Sequence, residues 1–579
     1  MSNFRNAIAV AISLAWPAAQ AIDIATDNPD LKVRLDFTPK YSTAYRLSDP
    51  SAALTRFDVA RDPNTANEDD GDHNFKKGML SSRIDLLTEF DVTARNYGLR
   101  VSGSGWYDSV YLRPNDYSGT QLFVAGMPTP TVLSTANNKP GQAPNAFLPG
   151  TRYQHGKGAE ILDAFVYLKG EIGDMRGTVR VGKHTLQWGE TLFFGQNGIA
   201  NAQGPVDVSK IVSVPAWQFK EVLLPVEQVS GSLQVTPDVQ IGAYYQFKFR
   251  PSRLPGVGSY FSDGDILPDG GFVNFGTDAQ GKPVNLVYNS ERDLRPKNSG
   301  QGGLQLKWNP AGGNYEFGFY AAQYHEKSPA APVFDFVNNN VHLAFAENVR
   351  MLGATVNSSL GQLNWGLEGS VRFDAPLTSS PAVLVPGSAH TSCGASDDDP
   401  CYAKGRTGHL NLSGIYVLQP SGLWQGGSVL AELGYNRTLK VTRDPFAATP
   451  GETGVNGGLA GNTTKGAWAS RVLFEPQYFQ VLPGLDISVP ISLGYNFGGR
   501  SSAMFKFAGG VSNGGDYSIG LKGKYQNEWN FSLAYTDYFG AVGTLTNTLV
   551  PGSAAPRQLT FGQTLKDRGY LSMSVSRTF

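Results

Sequence analysis

The sequence predicts an all-β protein, one closed antiparallel transmembrane β-barrel of about 18 strands, within 16–20, with short periplasmic turns and long extracellular loops. Three observations carry this reading. Apolar and polar side chains alternate with period two in segment after segment, which puts one set on lipid and the other in a polar interior. The connections between these segments alternate short and long, a sorting found in outer-membrane barrels and foreign to a soluble sandwich. Beyond the N-terminal segment no stretch of about 18 apolar residues occurs, so any crossing of a membrane must be made by strands.

Composition agrees. Glycine makes up 68 of 579 residues, aromatics 11 % and charged residues 17 %, with two cysteines, which suits many strands and turns better than a helical enzyme. A formal net charge of −1 excludes a nucleic-acid surface, because phosphate binding needs a concentrated basic face.

Taken in order, residues 1–21 read as a secretory signal peptide: Arg5, an apolar run from Ala7 to Trp16, then Ala19-Gln20-Ala21 as a small-residue cleavage site. Residues 22–579 form a single barrel domain on this reading. Strands are expected to start near residues 31, 79, 97, 158, 176, 226, 238, 299, 312, 348, 361, 405, 423, 466, 485, 515, 527 and 564. Among the clearest is Val239, Ile241, Ala243, Tyr245, Phe247 and Phe249 alternating with Gln240, Gly242, Tyr244, Gln246, Lys248 and Arg250. Leu363, Trp365, Leu367, Val371 and Phe373 alternate with Asn364, Glu368, Ser370 and Arg372, and the run from Leu485 to Phe497 is the most regular. Tight turns fall at Asn96, Gly173-Asp174, Pro237-Asp238, Asn309-Pro310-Ala311, Leu360-Gly361, Gln419-Pro420-Ser421, Pro483-Gly484 and Gln526-Asn527. An open sheet edge in hydrocarbon leaves backbone groups unpaired at several kcal/mol each, so the first strand, Leu31 to Thr38, must pair with the last. That last strand carries Leu571, Met573, Val575 and the terminal Phe579. Such an ending is similar to the signal read by the outer-membrane barrel assembly machinery, although Arg577 departs from the usual apolar residue.

With the apolar partners on lipid, the lumen receives charges of both signs, among them Arg34, Arg83, Asp85, Arg100, Lys248, Arg250, Glu368 and Arg372. Such charges either tune passage by size and sign or brace the wall in pairs. The segment 190–225 is apolar for an external loop, with Leu192, Phe193, Phe194, Val212, Trp217 and Leu223. Freely exposed it would form an aggregation-prone patch, so it is expected to fold into the mouth and narrow it, with Trp188, Glu190, Phe193, Phe194 and Trp217 as the constriction or gating candidates. The loop 114–157, with Leu122-Phe123-Val124 and Val132-Leu133, invites the same reading. Cys393 and Cys401 share one long external loop of an exported chain, so a local disulfide is expected.

Two acidic clusters, around Glu68 to Asp72 and Asp397 to Asp399, lack EF-hand spacing and read as solvated loops. No paired zinc spacing occurs among the seven histidines. One G-x-S-x-G string surrounds Ser512, without the strand-turn-helix setting that gives it meaning. Neither catalytic residue nor metal nor cofactor is expected.

Several stretches resemble a large family of Gram-negative outer-membrane proteins known as domain of unknown function 1302. They are Asn67-Glu68-Asp69-Asp70-Gly71-Asp72-His73-Asn74-Phe75 with Lys77-Gly78, Val181-Gly182-Lys183 leading to Trp188-Gly189-Glu190, and Asn197-Gly198-Ile199. Pro205-Val206-Asp207, Lys220 to Pro225, Tyr244 to Phe247 and Gly258 to Asp263 continue the likeness, which is strongest over residues 67–265. Departures fall at Ala200 to Gly204 and Ala216-Trp217-Gln218. The resemblance implies an outer-membrane barrel acting with a periplasmic lipoprotein and an inner-membrane transporter on hydrophobic compounds, and it carries over no catalytic or binding residue.

The leading functional expectation is therefore an outer-membrane channel or transporter for small molecules, hydrophobic ones among them, inserted among outer-membrane lipids and lipopolysaccharide. The rivals are an adhesin or assembly partner with a plugged barrel and, third, a barrel enzyme.

Overall fold

The computed structural model describes residues 22–24, 26–55, 68, 70–117, 121–122, 131–132, 143, 145–265, 271–277, 283–388, 390–394, 399–446, 458–546 and 558–579. The signal-peptide assignment, half of the loop 114–157 with Phe123, Val124 and Leu133, and Asp69, Asp397 and Asp398 lie outside these residues.

The chain folds as an 18-stranded closed antiparallel barrel. Its strands are β1 (Lys32–Arg46), β2 (Gly78–Thr93), β3 (Tyr97–Asp108), β4 (Lys157–Ile172), β5 (Met175–His184) and β6 (Val226–Thr236). There follow β7 (Val239–Gln246), β8 (Gln301–Trp308), β9 (Tyr315–Tyr324), β10 (Val349–Leu360), β11 (Leu363–Pro376) and β12 (Lys404–Val417). The circuit ends with β13 (Gly426–Arg443), β14 (Gly466–Leu482), β15 (Leu485–Ser488 and Ile491–Gly498), β16 (Gly514–Tyr525), β17 (Trp529–Phe539) and β18 (Tyr570–Arg577). β15 is split at Pro490, which has no N–H to give to the ladder. Among the described residues, no helix is long and apolar enough to cross a membrane.

Alternation decides which face each side chain takes. On β9, Tyr315, Phe319 and Ala321 are exposed while Gly318, Tyr320, Ala322 and Tyr324 are buried. The same parity exposes Leu304, Leu352, Leu412, Leu493, Ile519 and Leu533 around the outer wall, an apolar band that only lipid can cover. Near the short turns the outward positions become aromatic, with Trp308 against Phe317 and Trp529 against Phe531, the amphipathic girdle expected at a membrane interface.

Closure takes place between β1 and β18. Lys40 to Arg46 pair with Ser576 to Tyr570, and Phe37 and Phe579 exchange both backbone hydrogen bonds at 2.9 and 3.1 Å. Below that point a short N-terminal strand, Ile22–Ile24, takes over the same edge and pairs with Leu35 to Val33. The expected first-to-last pairing is thus present, on a first strand longer than Leu31 to Thr38.

Above the membrane, five short strands not expected from the sequence form a small sheet in the order Phe272–Thr277, Pro283–Tyr288, Asn340–Ala344, Ala331–Asp335 and Ala382–Leu384. Val273, Leu286, Phe334 and Val341 are its buried core. Long loops of a barrel therefore carry a hydrophobic centre of their own, because short apolar runs can bury only against one another.

Candidate functional site

The segment from Trp188 to Gln203 lies against inward positions of β7 and β9 to β13. Trp188 packs on Tyr244 and Tyr320 at ring separations of 5.0 and 6.0 Å. Two buried carboxylates then hold the backbone. Glu368 accepts the N–H of Glu190 at 2.7 Å on Oε2 and that of Ile199 at 2.5 Å on Oε1. Glu432 accepts the N–H groups of Leu192, Phe193 and Phe194 on its Oε2. A buried N–H needs a partner, and a carboxylate is the strongest acceptor a wall can offer. Gly189 and Gly198 flank Glu368 so closely that a Cβ on either would collide with its carboxylate oxygens.

Asn197 is the second anchor. Its Nδ2 donates to Asn411 Oδ1 at 3.0 Å, and its Oδ1 meets Asn436 Nδ2 at 3.1 Å and His409 Nδ1 at 2.9 Å. Arg372 donates to the carbonyls of Gln196 and Gly198, both at 2.9 Å. Ile199 is fully buried, seated where Gly353 leaves room for its side chain. Phe194 packs on Phe507 at 5.8 Å. Burial raises the pKa of the Glu190 carboxyl, which lies beside Asn357 and Lys307.

The second half of the segment turns to the opposite wall through ion pairs. Asp207 caps the helix Val208–Ser213 by accepting Lys210 N at 2.9 Å and pairs with Arg253 at 2.6 Å. Glu160 on β4 gathers Arg253 at 2.7 Å, Lys210 at 3.3 Å and Arg250 at 3.5 Å. Lys40 reaches Glu221 at 3.4 Å, and Lys220 pairs with Glu89. The Arg253 guanidinium, although burial opposes its charge, has its pKa raised by Glu160 and Asp207. Close by, His155 is stacked on Tyr111, and burial drives its pKa down to about 3.

Of the five constriction candidates, Trp188, Glu190, Phe193 and Phe194 come together along this anchored stretch. Trp217 does not join them. It is half-buried beside Phe219, at a ring separation of 6.0 Å. Among the lumen-charge candidates, Arg83 chelates Asp85 at 2.7 Å, Arg100 holds Asp91 at 2.9 Å and Glu89, and Arg250 reaches Glu160. Arg34 is exposed near the periplasmic end and pairs with Asp36 at 2.9 Å. Lys248 departs from the expected alternation, because β7 ends at Gln246. Lys248 is exposed, and Phe249 turns inward against Tyr288 and Phe345.

Glu160 and Arg253 were not singled out in the sequence, and Asn197 stood there only as part of the family-like stretch Asn197-Gly198-Ile199. Glu160 shares its parity with the buried Leu162 on a strand, a signal that alternation carries. Arg253 and Asn197 sit in loops, where no periodicity marks the inward face.

The loop from Asp70 to Phe75 corrects the reading as a solvated acidic cluster. Asp72 is 1 % exposed, between Arg46 at 3.0 Å and Arg568 at 2.9 Å. Arg568 also donates to the carbonyls of Tyr260 and Ser262, both at 2.6 Å. Burial raises the Asp72 pKa, and the two arginines more than offset it, so the net direction is down. Three external loops are thereby tied through one buried ion cluster. A further loop is closed by the disulfide Cys393–Cys401, with Cα atoms 5.1 Å apart.

Ser512 is followed by β16 rather than by a helix, so no nucleophile elbow forms there. Among the described residues no group of three or more His, Cys, Asp or Glu could hold a metal.

No curated protein matches the sequence. Among solved structures, Acinetobacter baumannii OccAB4 is similar over 96 % of this chain and 100 % of its own, at 10 % identity and a TM-score of 0.41. The outer membrane protein OpdK of Pseudomonas aeruginosa is similar over 94 % and 98 %, at 10 % identity and a TM-score of 0.39. A BenF-like porin from Pseudomonas fluorescens Pf-5 is similar over 95 % and 98 %, at 9 % identity and a TM-score of 0.38. The family described as "Protein of unknown function (DUF1302)" matches residues 3–579. With its closed barrel and lipid-facing apolar band, this chain is an outer-membrane β-barrel protein of the Gram-negative type and belongs to the DUF1302 family.

Proposed function

We propose that the protein is a channel or ligand-guided transporter that moves small molecules, hydrophobic ones among them, across the outer membrane, with residues 190–225 as its constriction. The observation that carries this reading is the grip of Glu368 and Glu432 on five backbone N–H groups between Glu190 and Ile199. A segment held by buried carboxylates is fixed in place, and a fixed constriction selects by size and polarity. Leu192 and Phe193, only half-buried, supply apolar surface along it, while Trp188 and Phe194 are spent on packing against the wall. The cations around Glu160 offer charge on the facing wall. In this reading the barrel delivers its cargo to, or receives it from, a periplasmic lipoprotein and an inner-membrane transporter.

The test is planar-bilayer conductance and liposome flux of the refolded protein beside a variant lacking residues 191–224. A large steady conductance in the variant alone supports a constricted channel. Conductance in neither form favours the rival, a plugged barrel whose external loops bind other macromolecules, and partner binding by loop-deleted forms then becomes the measurement.

A further inference from the structure

The outer wall from β4 to β10 is recessed. Strand register lines up the outward side chains in rows across β7 to β11. The uppermost row is Tyr245, Gly302, Gln323, Arg350 and Phe373. Below it come Ala243, Leu304, Ala321 and Leu352, and then Ile241, Leu306, Phe319 and Ala354. Gly302, Ala243, Ala321 and Ala354 are small where their neighbours are large, so the wall dips between Leu304, Leu352 and Phe319. Two adjoining hollows of about 960 and 600 Å³ result, sharing Ala243, Leu304, Ala321 and Leu352. Both are broad depressions open on the lipid side rather than enclosed cavities.

The extracellular rim of this recess is basic. Arg350, at its upper edge, has a side chain 63 % exposed and uses one nitrogen on Asp374 at 2.6 Å. The guanidinium of Arg406 lies 5.6 Å from the centre of the Phe373 ring and has no carboxylate partner among the described residues. Lys297 is exposed beside Gly300, at the upper end of β8. Among the described residues, the carboxylates in contact with these cations are Asp374 and Glu347, the latter accepting Lys297 N at 3.4 Å. Among the described residues, three cations against two carboxylates leave the rim net positive, over an apolar hollow that faces hydrocarbon.

We propose that this recess is a binding site for a phosphorylated, multiply acylated glycolipid of the lipid A class, the lipid of the outer leaflet. Its acyl chains fill the hollow between Leu304, Leu352 and Phe319, and its phosphates are held by Arg350, Arg406 and Lys297. Charge complementarity selects this occupant. A second copy of the chain would bring the same cations against each other or onto bare apolar wall, whereas an anionic headgroup satisfies them.

The experiment is native mass spectrometry of the detergent-solubilised full chain titrated with lipid A, with dephosphorylated lipid A and with phosphatidylethanolamine. Wild type is compared with Ala243→Trp/Ala321→Trp, with Arg350→Ala/Arg406→Ala, and with Ile519→Trp on the far wall as the control. Heat-modifiable gel mobility selects the variants that fold. The expected result is one retained lipid A per barrel, weakened about tenfold or more in both double variants and unchanged in the control, with dephosphorylated lipid A bound as weakly by wild type as by the arginine variant. Equal binding by all four proteins overturns the proposal. So does an oligomer of the chain that the tryptophan pair alone dissociates, since the wall would then be a contact between copies.

Discussion

The backbone N–H of Glu190 and that of Ile199 end on the two oxygens of one side chain, Glu368, at 2.7 and 2.5 Å. A single wall residue thus spans both ends of a ten-residue bend inside the barrel.

Glu368→Ala removes the acceptor of two buried N–H groups, each of which costs about 1–3 kcal/mol when orphaned. The bend should loosen while the barrel, closed by its strand ladders, stays folded. Single-channel recording should then give higher and noisier conductance than wild type, with gel mobility of the folded form retained. Glu368→Gln keeps one good acceptor and should fall between the two. Wild-type recordings from the alanine variant would show that Glu368 does not hold the constriction.

At the outer mouth, Arg568→Ala leaves Asp72 with one cation in place of two. Breaking a buried pair costs about 3–5 kcal/mol, so the loops around Asp72 and Tyr260 should become accessible to protease. Acid should act likewise. The Asp72 pKa is lowered in the folded protein, so its contribution is complete above the unfolded value, about 3.9, and is lost as pH falls through the folded one. Limited proteolysis should therefore detect opening below about pH 4 in wild type, and earlier in Arg568→Ala.

Lys327 gives the opposite sign. It is 2 % exposed, and its Nζ donates to Gln246 and Gln301 without a carboxylate. Burial lowers its pKa to about 7. The unfolded lysine binds its proton up to about pH 10.4, so the local structure gains stability as pH rises from about 7 to about 10. Hydrogen-exchange protection factors of residues 325–348, taken relative to the unprotected amide rate at each pH, should rise over that interval, and Lys327→Met should abolish the trend. An unchanged profile in the methionine variant assigns the pH dependence elsewhere.

Glu160→Gln would leave Lys210, Arg250 and Arg253 with less compensating charge on one wall. In a conducting barrel, the reversal potential under a salt gradient should shift toward anion preference, less so at high salt, where screening shortens to about 3 Å at 1 M. No shift would mean that these cations lie off the permeation path.

The disulfide predicts a local effect. Replacing Cys393 and Cys401 with serine should cost about 2–3 kcal/mol in the loop alone, read as faster cleavage near residues 390–403 with assembly of the barrel unchanged.

Much of the barrel was legible because a strand in lipid has to alternate. Leu485 to Phe497 and Val239 to Gln246 announce both their direction and their faces, and the turns at Gly173 and Gly484 take positive φ. The loop interior was not legible. Asp72 meets Arg568 across almost the whole chain, and no local pattern marks such a partner. Glu368 could be placed in the lumen by parity, but its partners are backbone N–H groups, which every non-proline residue offers. Lys248 misled because a strand gives no notice of its last residue, and Phe249 found a loop core to enter. The small external sheet was missed since runs such as Ala331–Asp335 are too short to stand out.

The joint between the first and last strands has a mechanical meaning. β1 is laddered to β2 along fifteen residue pairs but to β18 along seven. Under lateral tension in the surrounding sheet of lipid, that joint would part before the seam between β1 and β2. Ile22–Ile24 adds three pairs below it on the same edge, and so acts as a rivet on the line where the cylinder closes.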